Sequence, residues 1–209
     1  MKIRLEEEKD YRKVEELTRE AFWNLYTPGC SEHFMLHNLR KSPAFIKELD
    51  FILEEDGEIL GHIAYSHSKI IDEENVSHRV ITFGPISVLP SYQNKGIGSA
   101  LINHSLREAK ALGYKAVCIY GDPRYYGRFG FRCGDKFDIK TSDGKFAAAL
   151  MALELTPGAL DNISGRLFED SSFEVNNKEF EVFESTFPYK EKLVTESQRD
   201  FQIIASLRY

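Results

Sequence analysis

Cysteine is scarce in this 209-residue chain: Cys30, Cys118 and Cys133 are the only three, far apart and without Cys-x-x-Cys spacing. An odd, scattered set argues against a disulfide framework or a cysteine zinc cluster, and it fits a reducing, cytoplasmic setting. Long apolar runs are also missing. The longest, Phe146 to Leu153, falls far short of a membrane span, and Met1 to Asp10 carries four carboxylates, so neither an anchor nor a signal peptide is expected. Positive charge is not in excess: 27 Lys+Arg stand against 33 Asp+Glu, a net charge of −6, a poor match for a surface that grips nucleic acid. Much of that acidity is at the C-terminal end, where residues 156–209 hold six basic and ten acidic side chains. The chain contains no Gly-x-Ser-x-Gly nucleophile motif, and Cys118 falls within an expected buried strand, so covalent catalysis is not indicated.

What is present suffices for one large domain: 42% of residues are hydrophobic and 12% aromatic. Lys2 to Leu5 reads as a strand. Asp10 is placed to cap a helix whose apolar positions Tyr11, Val14, Leu17, Ala21, Phe22 and Leu25 recur at helical spacing. Thr27-Pro28-Gly29 ends it, and Ser31 to Arg40 forms a second helix before Pro43. Phe51 to Glu55 and Glu58 to Ile71 are strands joined by Asp56-Gly57, a dipeptide that tolerates the positive φ angles of a tight hairpin. A third strand runs from Ser77 to Leu89, a helix from Gly96 to Leu112 and a strand from Lys115 to Tyr120. This is a right-handed crossover that sets the two strands parallel. Strand-like segments follow near Phe137 to Thr141 and Phe146 to Leu155, and Pro157-Gly158 marks a boundary between residues 1–155 and an extension over 156–209.

The segment with most chemical content is Gln93-Asn94-Lys95-Gly96-Ile97-Gly98-Ser99, between a strand and a helix. Unpaired N–H groups and the positive end of a helix dipole converge at such a loop, and glycines let backbone approach a phosphate closely. The pattern is neither the Gly-x-x-x-x-Gly-Lys-Ser/Thr nucleotide loop nor the three-glycine dinucleotide fingerprint. As Gln-x-x-Gly-x-Gly after Gly84-Pro85-Ile86-Ser87-Val88-Leu89-Pro90, it resembles the coenzyme A loop of the GNAT superfamily of acyltransferases. Tyr126-Gly127-Arg128-Phe129-Gly130-Phe131 resembles the Tyr-x-x-x-Gly-Phe signature after the fifth strand in that superfamily. The run from Gly121 to Phe131 is similar to the bacterial YhbS-type branch. The resemblance spans roughly residues 1 to 165.

The resemblance implies an α/β fold with a mixed central sheet, splayed between two parallel strands and flanked by helices. It implies acetyl-CoA as donor and an amine, small-molecule or peptide, as acceptor, with direct transfer in a ternary complex. Backbone N–H groups of Asn94, Lys95, Gly96, Ile97, Gly98 and Ser99, after Gln93, would hold the pyrophosphate, with the Lys95 charge assisting. Backbone groups of Ile86, Ser87 and Val88 would pair with the pantetheine arm. The Val88 amide would polarise the thioester carbonyl, and Tyr126 would act as general acid, with Tyr125 as its rival. Paired subunits are common in this superfamily, so a homodimer is compatible with it. The chain departs from many members in having only Pro123, Arg124 and Tyr125 between Asp122 and Tyr126, less than the usual helix. No carboxylate lies between Val80 and Leu89 to serve as base.

His62 shares a small polar face with Ala64, Ser66 and Ser68 and is a candidate to line the cleft, although a hydrogen-bonded structural histidine is the simpler reading. His33 and His37 have metal-ligand spacing on the second helix but no Glu after His33 and no evident third ligand, so no metal is assigned. The rival functional class is a non-catalytic acyl-CoA-binding or regulatory module on the same fold, with a generic nucleotide-binding protein a third reading.

Overall fold

The computed structural model describes all residues from Met1 to Tyr209. In chain order it contains β1 (Lys2–Leu5), α1 (Tyr11–Phe22), α2 (Glu32–Leu39), β2 (Phe51–Glu55), β3 (Glu58–Ile71) and β4 (Ser77–Val88). These are followed by α3 (Ile97–Ala111), β5 (Ala116–Tyr120), α4 (Pro123–Tyr126), β6 (Arg132–Cys133), β7 (Ile139–Lys140), β8 (Leu150–Glu154), β9 (Gly165–Phe168), α5 (Asn177–Glu184) and α6 (Glu196–Ser206). The β2–β3 hairpin closes as the dipeptide requires, with φ of 51° at Asp56 and 83° at Gly57.

One mixed sheet runs β1-β2-β3-β4-β5-β8-β6, and β9 adds to it by pairing with the far end of β3 and with β7. β1 to β4 are antiparallel neighbours. β4 and β5 run parallel and meet at one register pair, Ile81 with Val117, beyond which they diverge. That divergence opens the sheet at its centre.

Side chains alternate across the sheet. Ile63, Tyr65, Ile81 and Phe83 point to the α3 face and pack on Leu101 and Ile102. Tyr65 remains satisfied there because its hydroxyl lies 2.8 Å from that of Ser105. α3 comes close to β3 because position 61 is glycine; a Cβ there would stand 2.8 Å from Ile97 Cγ2 and 3.0 Å from Leu101 Cδ1. This approach holds the start of α3 beside the end of β4. The other face carries Ile52, Ile59 and Ala64 under α1 and α2, and Ile70, Val80, Cys118 and Leu167 beyond them.

Three local expectations change. α1 stops at Phe22, where Trp23 turns extended, so Leu25 lies outside it. The Asp10 carboxylate does not cap α1; it accepts from Arg4 Nη1 at 2.6 Å and from the Glu7 N–H at 3.1 Å. β8 begins at Leu150, because Phe146 and Ala148 donate their N–H groups to the carbonyls of Tyr209 and Leu207. The chain after Leu155 thus supplies β9, α5, α6 and a terminal segment bonded beside β8. α5 is held to the first helices by Arg19, whose guanidinium meets Glu184 at 2.5 Å.

Candidate active site

The gap between β4 and β5 widens into a cleft of about 660 Å³, bounded by the end of α1, the end of β4, the start of α3 and the segment from Tyr120 to Arg128. Its floor is backbone. The Leu89 N–H donates to the Leu60 carbonyl across the β3–β4 ladder, and His62 pairs with Ser87 in the same register. Antiparallel alternation therefore turns the backbone groups of Ser87 and Leu89 toward β3, and those of Ile86 and Val88 away from it, into the gap. Ser87 is the departure among these three expected residues. Its hydroxyl is also engaged, buried 3.0 Å from Thr18 Oγ1 of α1.

At the cleft's outer end the loop 93–96 hands over to α3. Asn94 and Gly96 take left-handed φ angles of 62° and 86°, and no side chain caps the N–H groups of Ile97, Gly98 and Ser99. These free donors and the helix dipole favour an anion. Gln93 plays a different part: its Nε2 donates to the Val88 carbonyl at 3.3 Å and ties the loop to the strand. Lys95 does not line the cleft; its Nζ sits 4.7 Å from the centre of the Tyr92 ring. The cation that does line it is Arg128, stacked 4.0 Å over Tyr125 with Nη2 3.3 Å from Ser99 Oγ. Nothing in the linear sequence links Arg128 to a loop about thirty residues earlier, so no pattern marks it as a cleft residue.

The short α4 is sufficient to aim the tyrosines. Asp122 caps it by accepting from the Arg124 N–H at 2.8 Å, with Pro123 at its first turn. The Tyr126 ring packs against Phe83, Phe131 and Tyr125 and lies directly over Gly121. Burial pushes its phenol pKa upward, so the proton is retained at neutral pH. Tyr125 instead points its hydroxyl at Gly98, 3.0 Å from where a Cβ would stand.

The three histidines weighed in the sequence all take structural places. His62 is fully buried outside the cleft, with Nε2 2.7 Å from Asp50 Oδ1 and 3.8 Å from Glu6 Oε2. Burial lowers its pKa to about 4, so the ring is neutral there. These three groups lie close enough together to ligate an ion, but the Glu6 carboxylate is already held by Arg40 at 2.6 and 3.1 Å. His33 is buried, with Nε2 2.8 Å from Glu184 and aromatic rings of α5 around it. His37 meets Glu15 at 2.8 Å and Lys41 at 2.7 Å.

A centrally splayed mixed sheet, with an uncapped helix start and a protonated tyrosine in the same gap, defines an acyl-CoA N-acyltransferase architecture. The Acetyltransferase (GNAT) family matches residues 12–131, more than half of the chain, and the chain belongs to that family. It is similar to the uncharacterized N-acetyltransferase YhbS of Escherichia coli K12, at 26% identity over 165 residues, covering 79% of this chain and 93% of that protein. The crystal structure of the E. coli YhbS protein in complex with CoA superposes with a TM-score of 0.73 at 23% identity, covering 83% of this chain and 92% of that one. A GNAT family acetyltransferase from Brucella melitensis, solved with acetyl-CoA, gives 0.67 at 28% identity over 83% and 97% of the two chains. No helix here is long and apolar enough to cross a membrane.

Proposed function

We propose that this chain moves the acetyl group of acetyl-CoA directly onto a primary amine. The observation that carries the reading is the alignment of three things along one cleft: the free N–H groups at the start of α3, the outward backbone of Ile86 and Val88, and the Tyr126 phenol. The donor's diphosphate fits the N–H groups of residues 94–99, and its pantetheine arm fits the open edge of β4. When bound, acetyl-CoA supplies a thioester carbonyl open to attack.

The Val88 N–H is the donor for the oxygen on which negative charge grows, and a fixed donor stabilises that charge more than the ground state. Tyr126 gives its proton to the leaving sulfur. Direct transfer is supported by the state of the thiols: burial raises the pKa of Cys30 and Cys118, which keeps both protonated and poorly nucleophilic.

The experiment is thiol release from acetyl-CoA across a panel of small amines, amino acids and peptides, alongside calorimetric titration of CoA. Tyr126→Phe is expected to lower kcat by about 100-fold while CoA affinity holds. Full turnover in that variant would remove Tyr126 as the acid, and CoA binding with no acceptor turned over would favour a regulatory module. Arg128→Ala is expected to weaken CoA binding by about tenfold, the scale of one charge-assisted hydrogen bond, and to flatten its salt dependence. A Lys95→Ala variant with the larger loss would reverse that assignment.

A further inference from the structure

The part of the cleft that the donor leaves open is walled by rings. The start of α3, the end of β4 and Arg128 take up its donor side, and the side chains that remain come chiefly from Phe22, Leu25 and Tyr26 at the end of α1 and from Tyr120 and Tyr126 across the gap. Phe22, Leu25 and Tyr26 are half-buried and Tyr120 is 41% exposed, so each keeps apolar surface free for contact. Burial and then the Tyr26 phenol raise the Tyr126 pKa, which sets the two phenols near each other in the cleft. A wall of rings beside a reacting centre suits a guest that carries a ring of its own.

This wall is held by the C-terminal segment. Asn24, at a φ of 60°, turns the chain out of α1, and its side-chain oxygen accepts from the N–H groups of Gly29 at 2.8 Å and Leu193 at 3.0 Å. Thr195 Oγ1 and Gln198 Nε2 donate to the Asn24 carbonyl at 2.9 and 3.0 Å, and Ser197 Oγ donates to the Leu25 carbonyl at 2.8 Å. The Tyr26 ring lies 4.4 Å, centre to centre, from that of Phe201 in α6 and 5.8 Å from that of Phe22. A ring fixed in this way loses little freedom when it meets another.

Charge is sparse along the same surface. Of the residues that line the cleft, only Asp122 and Arg128 carry any. Both oxygens of Asp122 are engaged by the Arg124 guanidinium at 2.6 to 3.0 Å, and Arg128 stands on the donor side, over Tyr125 and beside Ser99. A second ammonium or a carboxylate on the acceptor would give up water against this wall and find no counter-charge.

We propose that the acceptor is a small primary amine that carries an aromatic ring and no second charge, with Tyr26 selecting it and α6 positioning Tyr26. The inference rests on the acetyl-transfer reading. Small size follows from the cleft, whose volume of about 660 Å³ donor and acceptor must share. The amine sheds its ammonium proton to solvent as it enters, since an uncharged, ring-lined wall favours the neutral form. Its nitrogen lone pair forms the C–N bond to the acetyl carbon. The C–S bond breaks, and the sulfur leaves with its electron pair and receives the Tyr126 proton. The surplus nitrogen proton passes to solvent, which reprotonates Tyr126.

The test measures thiol release by the full chain with 2-phenylethylamine, n-hexylamine, cadaverine and L-phenylalanine. Wild type is expected to favour 2-phenylethylamine, with kcat/KM about fivefold above n-hexylamine, the scale of one ring pair, and about 100-fold above cadaverine and L-phenylalanine, which each bring a second charge. Tyr26→Leu is expected to raise KM for 2-phenylethylamine about tenfold and to erase its lead over n-hexylamine at unchanged CoA affinity, while Tyr26→Phe keeps the lead. Phe201→Ala raises the same KM about threefold with kcat held, as expected of a positioning residue. Saturation-transfer NMR on the wild-type CoA complex reads the ring protons of 2-phenylethylamine without turnover, and strong transfer to them with none to cadaverine is expected. Comparable turnover of cadaverine or L-phenylalanine, an intact lead in Tyr26→Leu, or silence toward 2-phenylethylamine when another amine is acetylated overturns the inference while leaving acetyl transfer standing. Failure of CoA to bind, or binding with no amine turned over, overturns the acetyl-transfer reading, and this inference with it.

Discussion

Gly121→Ala is expected to cut turnover by about 100-fold or more while the protein remains folded, a larger effect than its single added methyl group suggests. A Cβ at position 121 would stand 2.2 Å from Cε2 and 2.5 Å from Cδ2 of Tyr126, so one of the two must move. The backbone is poorly placed to yield, because the Gly121 N–H donates to the Ala149 carbonyl at 2.8 Å beside β8. The ring must therefore leave its place between Phe83 and Phe131, taking the phenol away from the point where β4 and β5 part. Overpacking of this kind costs about 1–3 kcal/mol, well within the stability of a domain this size. Thiol-release rates and a thermal melt on the same preparation check it: a near-native melt with lost turnover is expected, and a fully active Gly121→Ala variant would remove the positioned ring from the mechanism.

Arg40→Met is expected to be the most damaging substitution away from the cleft, at about 3–5 kcal/mol. The Arg40 guanidinium is 4% exposed, holds both oxygens of Glu6, lies 3.2 Å from Glu15 and stacks 4.1 Å over Tyr11. It is the cation that Glu6 and Glu15 share, close to Asp50. Burial raises Glu6 to about 8 and Asp50 to about 6, and the Asp50 charge adds to the rise at Glu6, so this group already favours retaining a proton near neutrality. Removing Arg40 leaves Glu6 buried with no guanidinium beside it, where the segments carrying Glu6, Glu15 and Asp50 meet. Urea unfolding should record the loss, with Tm lower by roughly 10 °C. The sign of the pH response follows from the raised acids: a carboxyl bound more tightly to its proton in the folded state weakens the fold as pH climbs from its ordinary value, near 4.5 for Glu6, to its folded one. Arg40→Met should therefore lose more stability at pH 8 than at pH 5, and equal losses at the two would show that the carboxylates are not the cause.

Much of the site was legible because its parts are local. The Asp56-Gly57 hairpin, the β4–loop–α3 unit and the Gly121 to Phe131 segment depend on spacing within a dozen residues, where backbone conformation and hydrophobic period leave a direct mark. The outward backbone of Ile86 and Val88 was only half legible. Their place on the strand could be read, but the direction of their N–H groups depends on the β3 register, and that is what separates them from Ser87. Lys95 and Arg128 exchanged roles for a similar reason: a flexible cation near a loop in sequence found an aromatic ring outside the cleft, while a distant one stacked on Tyr125 and came in.

The histidines show the other limit. His62 had the alternation of a cleft residue, yet α1 and α2 cover that part of the sheet, and its partners Asp50 and Glu6 come from two other segments. The sequence alone determined the parts whose physics is local: the turn, the phosphate-type loop, the helix start and the tyrosine segment. Tertiary structure decided which faces are covered and which cation enters the cleft. Burial and charge pairing depend on segments far apart in the chain, and no short-range pattern encodes where they meet.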